Sequence, residues 1–299
     1  MKEKITVPPL KIQGIKTKLV PLIRRAVKRN PAGLWLEPFM GSGVVGFNLK
    51  PKRAIFADTN PHIIAFYVGV QSGLVSPSAV KLFLETEGRK LEEGDAEYYY
   101  EVRRRFNAEH SPLDFLFLNR SCFNGMMRFN RSYEFNTPYG HKPFRFARAY
   151  VTKIVNQVAR VSDLISRNDW RFLCQSFEET IAMATRDDFI YCDPPYIGRH
   201  VDYYDSWDME SEVLLRDSLV ASRAPFMLST WEHNKYRSNA TIQTVWNKCF
   251  ITTQEHFYHL GAKEENRNPM VEALLTNYAV EEERALSEKE YAQLTFDMF

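Results

Sequence analysis

The chain has 299 residues, 44% hydrophobic and 25% charged, with a net charge of +2, proportions ordinary for a soluble globular protein able to bury one large or two modest cores. Its four cysteines (Cys122, Cys174, Cys192, Cys249) lie far apart and form no CxxC pair, which argues against a zinc site or disulfide framework and fits a reducing compartment. The opening "MKEKITVPPL" has no apolar core of a signal peptide and no run approaches a membrane span, so a cytoplasmic location is expected. Charge is unevenly spread. Residues 1–30 hold nine Lys/Arg against Glu3 alone, and residues 101–150 hold nine against four acids. Two basic zones on a near-neutral chain suggest a face for a polyanion, with solvated surface helices an equal alternative. The aromatic share of 14%, with 21 Phe and 15 Tyr, makes stacking surfaces plausible.

In chain order, "LWLEPFMGSGVVGFNL" (34–49) has the form strand, Gly-rich turn, helix: Trp35 and Leu36 close the strand, Gly41 and Gly43 make the turn, and Val44 to Leu49 begin the helix. "RAIFADTNPHIIAFY" (53–67) repeats the pattern, with a strand over Ala54–Ala57, Asp58 at its end, and Thr59, Asn60 and Pro61 as cap and first turn. Asp58 follows Gly41 at close to the spacing at which a strand-end acid meets a ribose in nucleotide-binding units. Residues 72–110 read as polar helix. From 113 to 150 aromatics, Asn and Arg mix with turn-forming Gly and Pro, and 150–168 reads as an amphipathic helix. "DWRFLCQSF" is a strand with its exit, "EVLLRDSLVASRA" a helix, "PFMLST" a strand, and "CFITTQEHFYHL" with "VEALLTNYAV" a closing antiparallel pair. Alternating strands and helices at both ends predict one α/β sheet over residues 1–71 and 166–299, with residues 72–165 inserted as a second domain.

The most informative stretch is "FIYCDPPYIGRH" (189–200). Phe189 to Cys192 read as a short buried strand that Pro194 and Pro195 forbid from continuing, so Asp193 and Tyr196 stand at its carboxyl end on a stiffened backbone. In open α/β sheets that edge is where ligands bind. An exocyclic nucleobase amine is a poor nucleophile because its lone pair is delocalised into the ring. Two acceptors aimed at its hydrogens, such as the Asp193 carboxylate and the Pro194 carbonyl, draw the nitrogen toward tetrahedral geometry and neutralise developing charge. Tyr196 can stack on a base swung out of a duplex. A sulfonium methyl donor needs alignment more than acid–base help, and no nucleophile–base pair for hydrolysis is evident.

The chain resembles the Dam-like (alpha-group) DNA adenine-N6 methyltransferases over nearly all of residues 8–278. The resemblance rests on "KIQGIKTKLV" (11–20), "LEPFMGSG" (36–43), "ADTNPHII" (57–64), "YCDPPY" (191–196) and "LNRSCFNGMMRFNRSYEFNTPYG" (118–140), in the family's order. It implies a class I S-adenosylmethionine-dependent methyltransferase sheet with an inserted, mainly helical target-recognition domain carrying a hairpin. It further implies methyl transfer to N6 of an adenine flipped from duplex DNA, in a restriction–modification or related system. Asp193, Pro194 and Tyr196 would act at the base. Lys16 would pair with the carboxylate of S-adenosylmethionine; Glu37, Phe39, Gly41 and Gly43 would line its methionine side; Asp58 would accept the ribose hydroxyls; Phe177 would lie beside its adenine. Asp193 also borders the cofactor. Arg120, Asn124, Arg128, Asn130 and Pro138, with Asn119 and Gly125, fall on the family's recognition pattern, and Arg128 is the candidate for reading a base beside the target, with a phosphate contact the blander alternative. Phe115, Phe117, Phe123 and Phe135 are expected in the core.

The chain departs from the family in carrying Ile12, Gln13 and Ile15 before Lys16, where Trp, Ala or Gly is usual, and Ser176 where an acid commonly precedes Phe177. Asn234, Tyr236 and Arg237, in "LSTWEHNKYRSN", are candidates for DNA contact or an ordinary polar loop. His256 and His259 lack a third ligand, so no metal is expected. The tail "QLTFDMF" resembles peptides that dock on sliding clamps through Gln293, Phe296 and Phe299, and a cognate restriction endonuclease is a second conceivable partner. Cytosine-N4 methylation is the nearest rival reaction, RNA or protein amide methylation a more distant one, and a DNA-binding module that has lost catalysis is the rival of another class.

Overall fold

The structure, a computed structural model, describes residues 4–28, 30, 32–197, 207–257 and 269–280. His259 and the tail residues Gln293, Phe296 and Phe299 lie outside them. In chain order the elements are α1 (Val20–Ala26), β1 (Trp35–Glu37), α2 (Val44–Leu49), β2 (Arg53–Asp58), α3 (Pro61–Ser72), α4 (Pro77–Glu109), α5 (Pro112–Ser121), α6 (Arg148–Ser166), β3 (Asp169–Cys174), α7 (Phe177–Ala182), β4 (Phe189–Cys192), α8 (Met209–Ser222), β5 (Phe226–Asn234), α9 (Thr241–Thr244), β6 (Phe250–Phe257) and β7 (Pro269–Thr276). Among the described residues no helix is long and apolar enough to cross a membrane.

The strands form one sheet in the order β3-β2-β1-β4-β5-β7-β6. The first five run parallel, and β7 is antiparallel to both β5 and β6. This is the class I methyltransferase sheet that the motifs implied. Side-chain alternation explains why both faces are covered. Trp35, Phe189, Tyr191, Met227 and Leu274 enter one core with α1, α2 and α3, while Leu36, Ile190, Cys192, Leu228, Ala273 and Leu275 enter a second core with α7, α8 and α9. β1 is therefore buried along its whole length, and β4 is buried at all four positions. That is the continuous apolar run seen in "FIYC".

The chain order reverses between β1 and β4, which are hydrogen-bonded neighbours. In open α/β sheets such a reversal parts the loops leaving the carboxyl ends and makes the crevice where ligands bind.

Between β2 and β3 the chain forms α3 to α6. α4 contains a break at Asp95 (φ 45°, ψ −125°), and Glu87, Tyr98, Arg105 and Asp114 tie its two halves to α5: the Tyr98 hydroxyl donates to Glu87 at 2.6 Å and Arg105 bridges Glu87 and Asp114. Residues 123–140 follow α5 as an irregular hairpin, with bridges Cys122–Tyr139 and Phe129–Phe135. The segment from 113 to 150, where aromatics, Asn and Arg mix with turn-forming Gly and Pro, thus begins inside a helix, α5, whose Phe115, Leu116, Phe117 and Leu118 are fully buried.

Candidate active site

The Gly-rich turn is built by its neighbours. Gly41 (φ +46°) and Gly43 (φ +72°) both take left-handed backbone, and Gly43 starts α2 without a side-chain cap. A Cβ on Gly43 would stand 2.6 Å from the Phe47 ring, whereas one on Gly41 would meet nothing nearer than Ile12 at 3.7 Å. Gly43 is thus required by packing below the turn, and Gly41 leaves the upper side open for a ligand's close approach. The Tyr67 hydroxyl donates to the Ser42 carbonyl at 2.6 Å and locks the turn onto α3.

Asp58 ends β2 beside that turn. One of its oxygens accepts the Gly41 N–H at 2.9 Å and the other the Asn60 N–H at 2.9 Å. The cap expected in the Thr59–Asn60–Pro61 stretch is Asn60, whose side chain accepts from the His62 and Ile63 N–H groups. Burial raises the Asp58 carboxyl above its ordinary range, and the two backbone donors oppose the shift. Each oxygen keeps a lone pair for a hydroxyl donor.

Glu37 lies beneath the turn rather than along its open side. It is 2% exposed, and its Oε2 accepts both the Trp35 indole N–H and the Gly46 N–H at 3.0 Å. Gly46 is an otherwise orphaned donor in the first turn of α2, so Glu37 works as a buried cap from the strand below. Burial pushes its carboxyl up to about 8, the two donors oppose this, and Asp193 adds to it.

At the end of β4, Asp193 is partly exposed and Pro194 is buried. The Asp193 carboxyl is pushed up to about 6 by burial, against the opposing Lys16 ammonium, with Glu272 of β7 raising it further. Lys16 precedes α1 rather than riding on a helix: its carbonyl accepts the Leu19 and Val20 N–H groups. Gly14 (φ +80°) turns the chain so that Lys16 Nζ donates to the Gly14 carbonyl at 2.8 Å. The same ammonium pairs with Asp193 Oδ1 at 2.8 Å and lies 4.9 Å from the centre of the Tyr196 ring. Lys16 and Asp193, widely separated in the chain, are therefore direct partners. Below them Tyr191 stacks on Trp35 and exchanges a 2.7 Å hydrogen bond with Ser229.

Phe39 and Phe177 stack at 5.5 Å, and Trp207 closes on both, at 5.5 Å from Phe39 and 5.7 Å from Phe177. All three stay partly exposed at the strand ends. Trp207 was not visible from sequence as a site residue, since it belongs to no motif and comes from the approach to α8. Its indole donates to Glu212 at 2.6 Å, and that buried acid also accepts from Trp246 at 2.7 Å. Ser176 is spent in a capping box with Glu179, its hydroxyl accepting the Glu179 N–H and its own N–H donating to the Glu179 carboxylate at 2.8 Å. Ser176 therefore replaces the family's acid with a helix cap.

The recognition candidates divide. Arg120 is not at the surface: it is 8% exposed, donates to Gln157 Oε1 at 2.6 Å, and burial lowers its pKa to about 10. It is a strut between α5 and α6, at a position where a DNA contact was expected. Asn119 is likewise fully buried, exchanging two 2.8 Å hydrogen bonds with the Lys11 backbone. Asn130 spends its side chain on the hairpin turn, accepting from Ser132 and Glu134 N–H and donating to the Glu134 carboxylate at 2.7 Å. Asn124 (φ 54°) and Pro138 are exposed, and Arg128 is half-buried with its backbone tied to Thr137 and Asn136. Phe115, Phe117 and Phe135 are in the core, but Phe123 is 47% exposed next to Asn124, contrary to expectation. It opens the short turn that follows the end of α5. Downstream, β5 runs on through Asn234, and Asn239 fastens the return by donating to the Trp231 carbonyl at 2.9 Å. Tyr236 stays exposed on that loop.

The model of the D12 class N6 adenine-specific DNA methyltransferases matches residues 13–279, from the Lys16 turn through β7. The chain belongs to this family. Similarity to individual members agrees. It is 34% identical over 197 residues to a DNA adenine methylase of Haemophilus influenzae, covering 63% of each chain, and 32% identical over 237 residues to one of Serratia marcescens, covering 74% of this chain and 82% of that one. The retron Ec67 DNA adenine methylase of Escherichia coli is 32% identical over 204 residues, 65% of each chain. The matched stretch thus spans just under two thirds of the Haemophilus relative's own length.

Proposed function

We propose that the protein transfers a methyl group from S-adenosylmethionine to N6 of an adenine extruded from duplex DNA. The observation that carries this reading is the placement of Asp193, with the Tyr196 ring beside it, at the β4 edge of the crevice whose β1 and β2 edges hold the Gly41–Gly43 turn and Asp58. The residues fit the donor. Gly41 leaves room for close approach, Asp58 offers acceptors to a ribose, the Phe39, Phe177 and Trp207 rings offer an aromatic wall, and Lys16 is the cation for an amino-acid carboxylate. Ser176 supplies no equivalent of the family's acid at the adenine edge. S-adenosylmethionine, when bound, supplies an electrophilic methyl group on a sulfonium.

The chain's own part is to make the amine nucleophilic. Asp193 accepts one amino hydrogen, and the backbone at Pro194 is held rigid for the second. As the lone pair leaves ring conjugation, positive charge grows on N6, and the carboxylate stabilises it where water is excluded. Tyr196 holds the ring by stacking, so extrusion costs a few kcal/mol that this contact and the hydrogen bonds offset. No covalent intermediate with the protein is needed. In this reading residues 1–71 and 166–299 form the catalytic unit and residues 72–165 the DNA-reading unit, with Asn124, Arg128 and Pro138 on its exposed side.

Long-read modification mapping of DNA from cells expressing the chain tests this directly. N6-methyladenine at one short sequence, abolished by Asp193→Ala, is the expected result. N4-methylcytosine would install the rival reaction, and unmodified DNA that is nevertheless bound would identify a binding module.

A further inference from the structure

The Lys16 side chain, which is 5% exposed, meets Asp193 Oδ1 at 2.8 Å, the Gly14 carbonyl at 2.8 Å and the Tyr196 ring at 4.9 Å. Asp193 and Tyr196 are the two side chains that the proposed function assigns to the target amine and the target ring. A protonated amine lodged between a carboxylate and an aromatic face has the chemistry of the group that must arrive there. Both are N–H donors to the same carboxylate, and the ammonium, 2.8 Å from Oδ1 and over the Tyr196 ring at 4.9 Å from its centre, stands in the space that a base stacked on that ring would fill. Nor can the ammonium simply withdraw. A buried cation stripped of its counter-ion costs several kcal/mol, so it moves only toward another anion. The crevice as read above receives one: the carboxylate on the amino-acid end of the methyl donor. The four-carbon Lys stem, rooted in the Gly14 turn, allows the ammonium to swing between the two.

We propose that Lys16 is a positioning residue that holds the amine subsite closed by pairing with Asp193, and that the donor's carboxylate draws it away, so the target base is admitted only after the donor. This rests on the reading of the crevice given above. Donor and base then bind with positive coupling, which by linkage is reciprocal.

The test uses the intact protein and duplex DNA carrying 2-aminopurine in place of the target adenine, whose fluorescence rises when the base leaves the stack. S-adenosylhomocysteine carries the carboxylate and 5′-methylthioadenosine lacks it. With the parent protein the rise should appear with S-adenosylhomocysteine, at an affinity about five- to a hundredfold tighter than with saturating 5′-methylthioadenosine or no nucleoside. With Lys16→Met it should appear without either compound, while calorimetry shows S-adenosylhomocysteine binding weakened about tenfold or more. Lys16→Arg should restore the requirement. A full rise in the parent without any nucleoside, or a Lys16→Met protein that still needs S-adenosylhomocysteine, overturns the proposal. If Lys16→Met does not fold, the two nucleosides on the parent protein decide alone. Fluorescence that stays flat in every state while anisotropy shows the duplex bound would instead sink the extruded-base reading, and this inference with it.

Discussion

Methyl transfer should fall away on acidification with a break near pH 6, because Asp193 must be ionised to accept the amino hydrogen. Its carboxyl is pushed up to about 6 by burial, with the Lys16 ammonium 2.8 Å away holding it from rising further. At pH 8 nearly every molecule carries the carboxylate, and at pH 5 only about a tenth do, so kcat/KM should drop about tenfold per pH unit below the break. Removing the cation tests the cause. A counter-charge at this distance is worth about 1–3 pK units to a carboxylate, so Lys16→Met should carry the break to about 7 or above. Asp193→Asn should lose the acid limb altogether, at a cost of about 10²–10³ in rate. The assay is transfer of tritiated methyl groups to duplex DNA at subsaturating donor and DNA, where the profile reports groups of the free protein. A flat profile between pH 8 and 5, or a Lys16→Met break that does not move, would refute the reasoning.

Glu37 makes a stability prediction with a definite sign. Its folded pKa, about 8, lies above its unfolded value, so its contribution is fully present below about 4.5 and is lost as pH rises through 8. Glu37→Gln should therefore be more heat-resistant than the parent at pH 9, by about 1–3 kcal/mol, and gain nothing at pH 5; thermal unfolding at the two pH values checks it. Gly43→Ala meets both the +72° φ and the Phe47 ring 2.6 Å from the new methyl, and should destabilise by about 2–4 kcal/mol with donor binding lost alongside, read by calorimetry. Arg120→Met should cost about 1–3 kcal/mol in unfolding free energy by depriving the buried Gln157 Oε1 of its Arg120 donor, while leaving sequence preference unchanged. Arg128→Ala should weaken binding to the methylated sequence by about 1–3 kcal/mol more than to unrelated duplexes, and an equal loss on all duplexes would assign it to phosphate.

Much of the fold could be read from periodicity and punctuation. "FIYC" before two prolines was legible as a buried strand because all four residues are apolar or aromatic and proline cannot extend a ladder, and β4 covers those four residues. The Gly turn and Asp58 were legible because left-handed backbone and strand-end acids leave local signatures. α5 was not, since a helix buried on nearly every side has no amphipathic stripe to betray it. Arg120 and Asn130 show the limit on the site. Their types suit nucleic acid, yet one is a buried strut to Gln157 and the other closes a turn through its own side chain.

Local chemistry along the chain was enough to determine the class of the sheet, the family, and which acid stands at which strand end, because each depends on short-range rules of turns, caps and alternation. Only the folded molecule decided who meets whom. Glu37 met the Gly46 N–H as a buried cap beneath α2, Trp207 joined Phe39 and Phe177 from a distant helix approach, and Lys16 closed on Asp193 across most of the chain's length. Such pairings have no sequence signature, because they are set by strand order across the sheet and by the cost of leaving a charge alone in the interior.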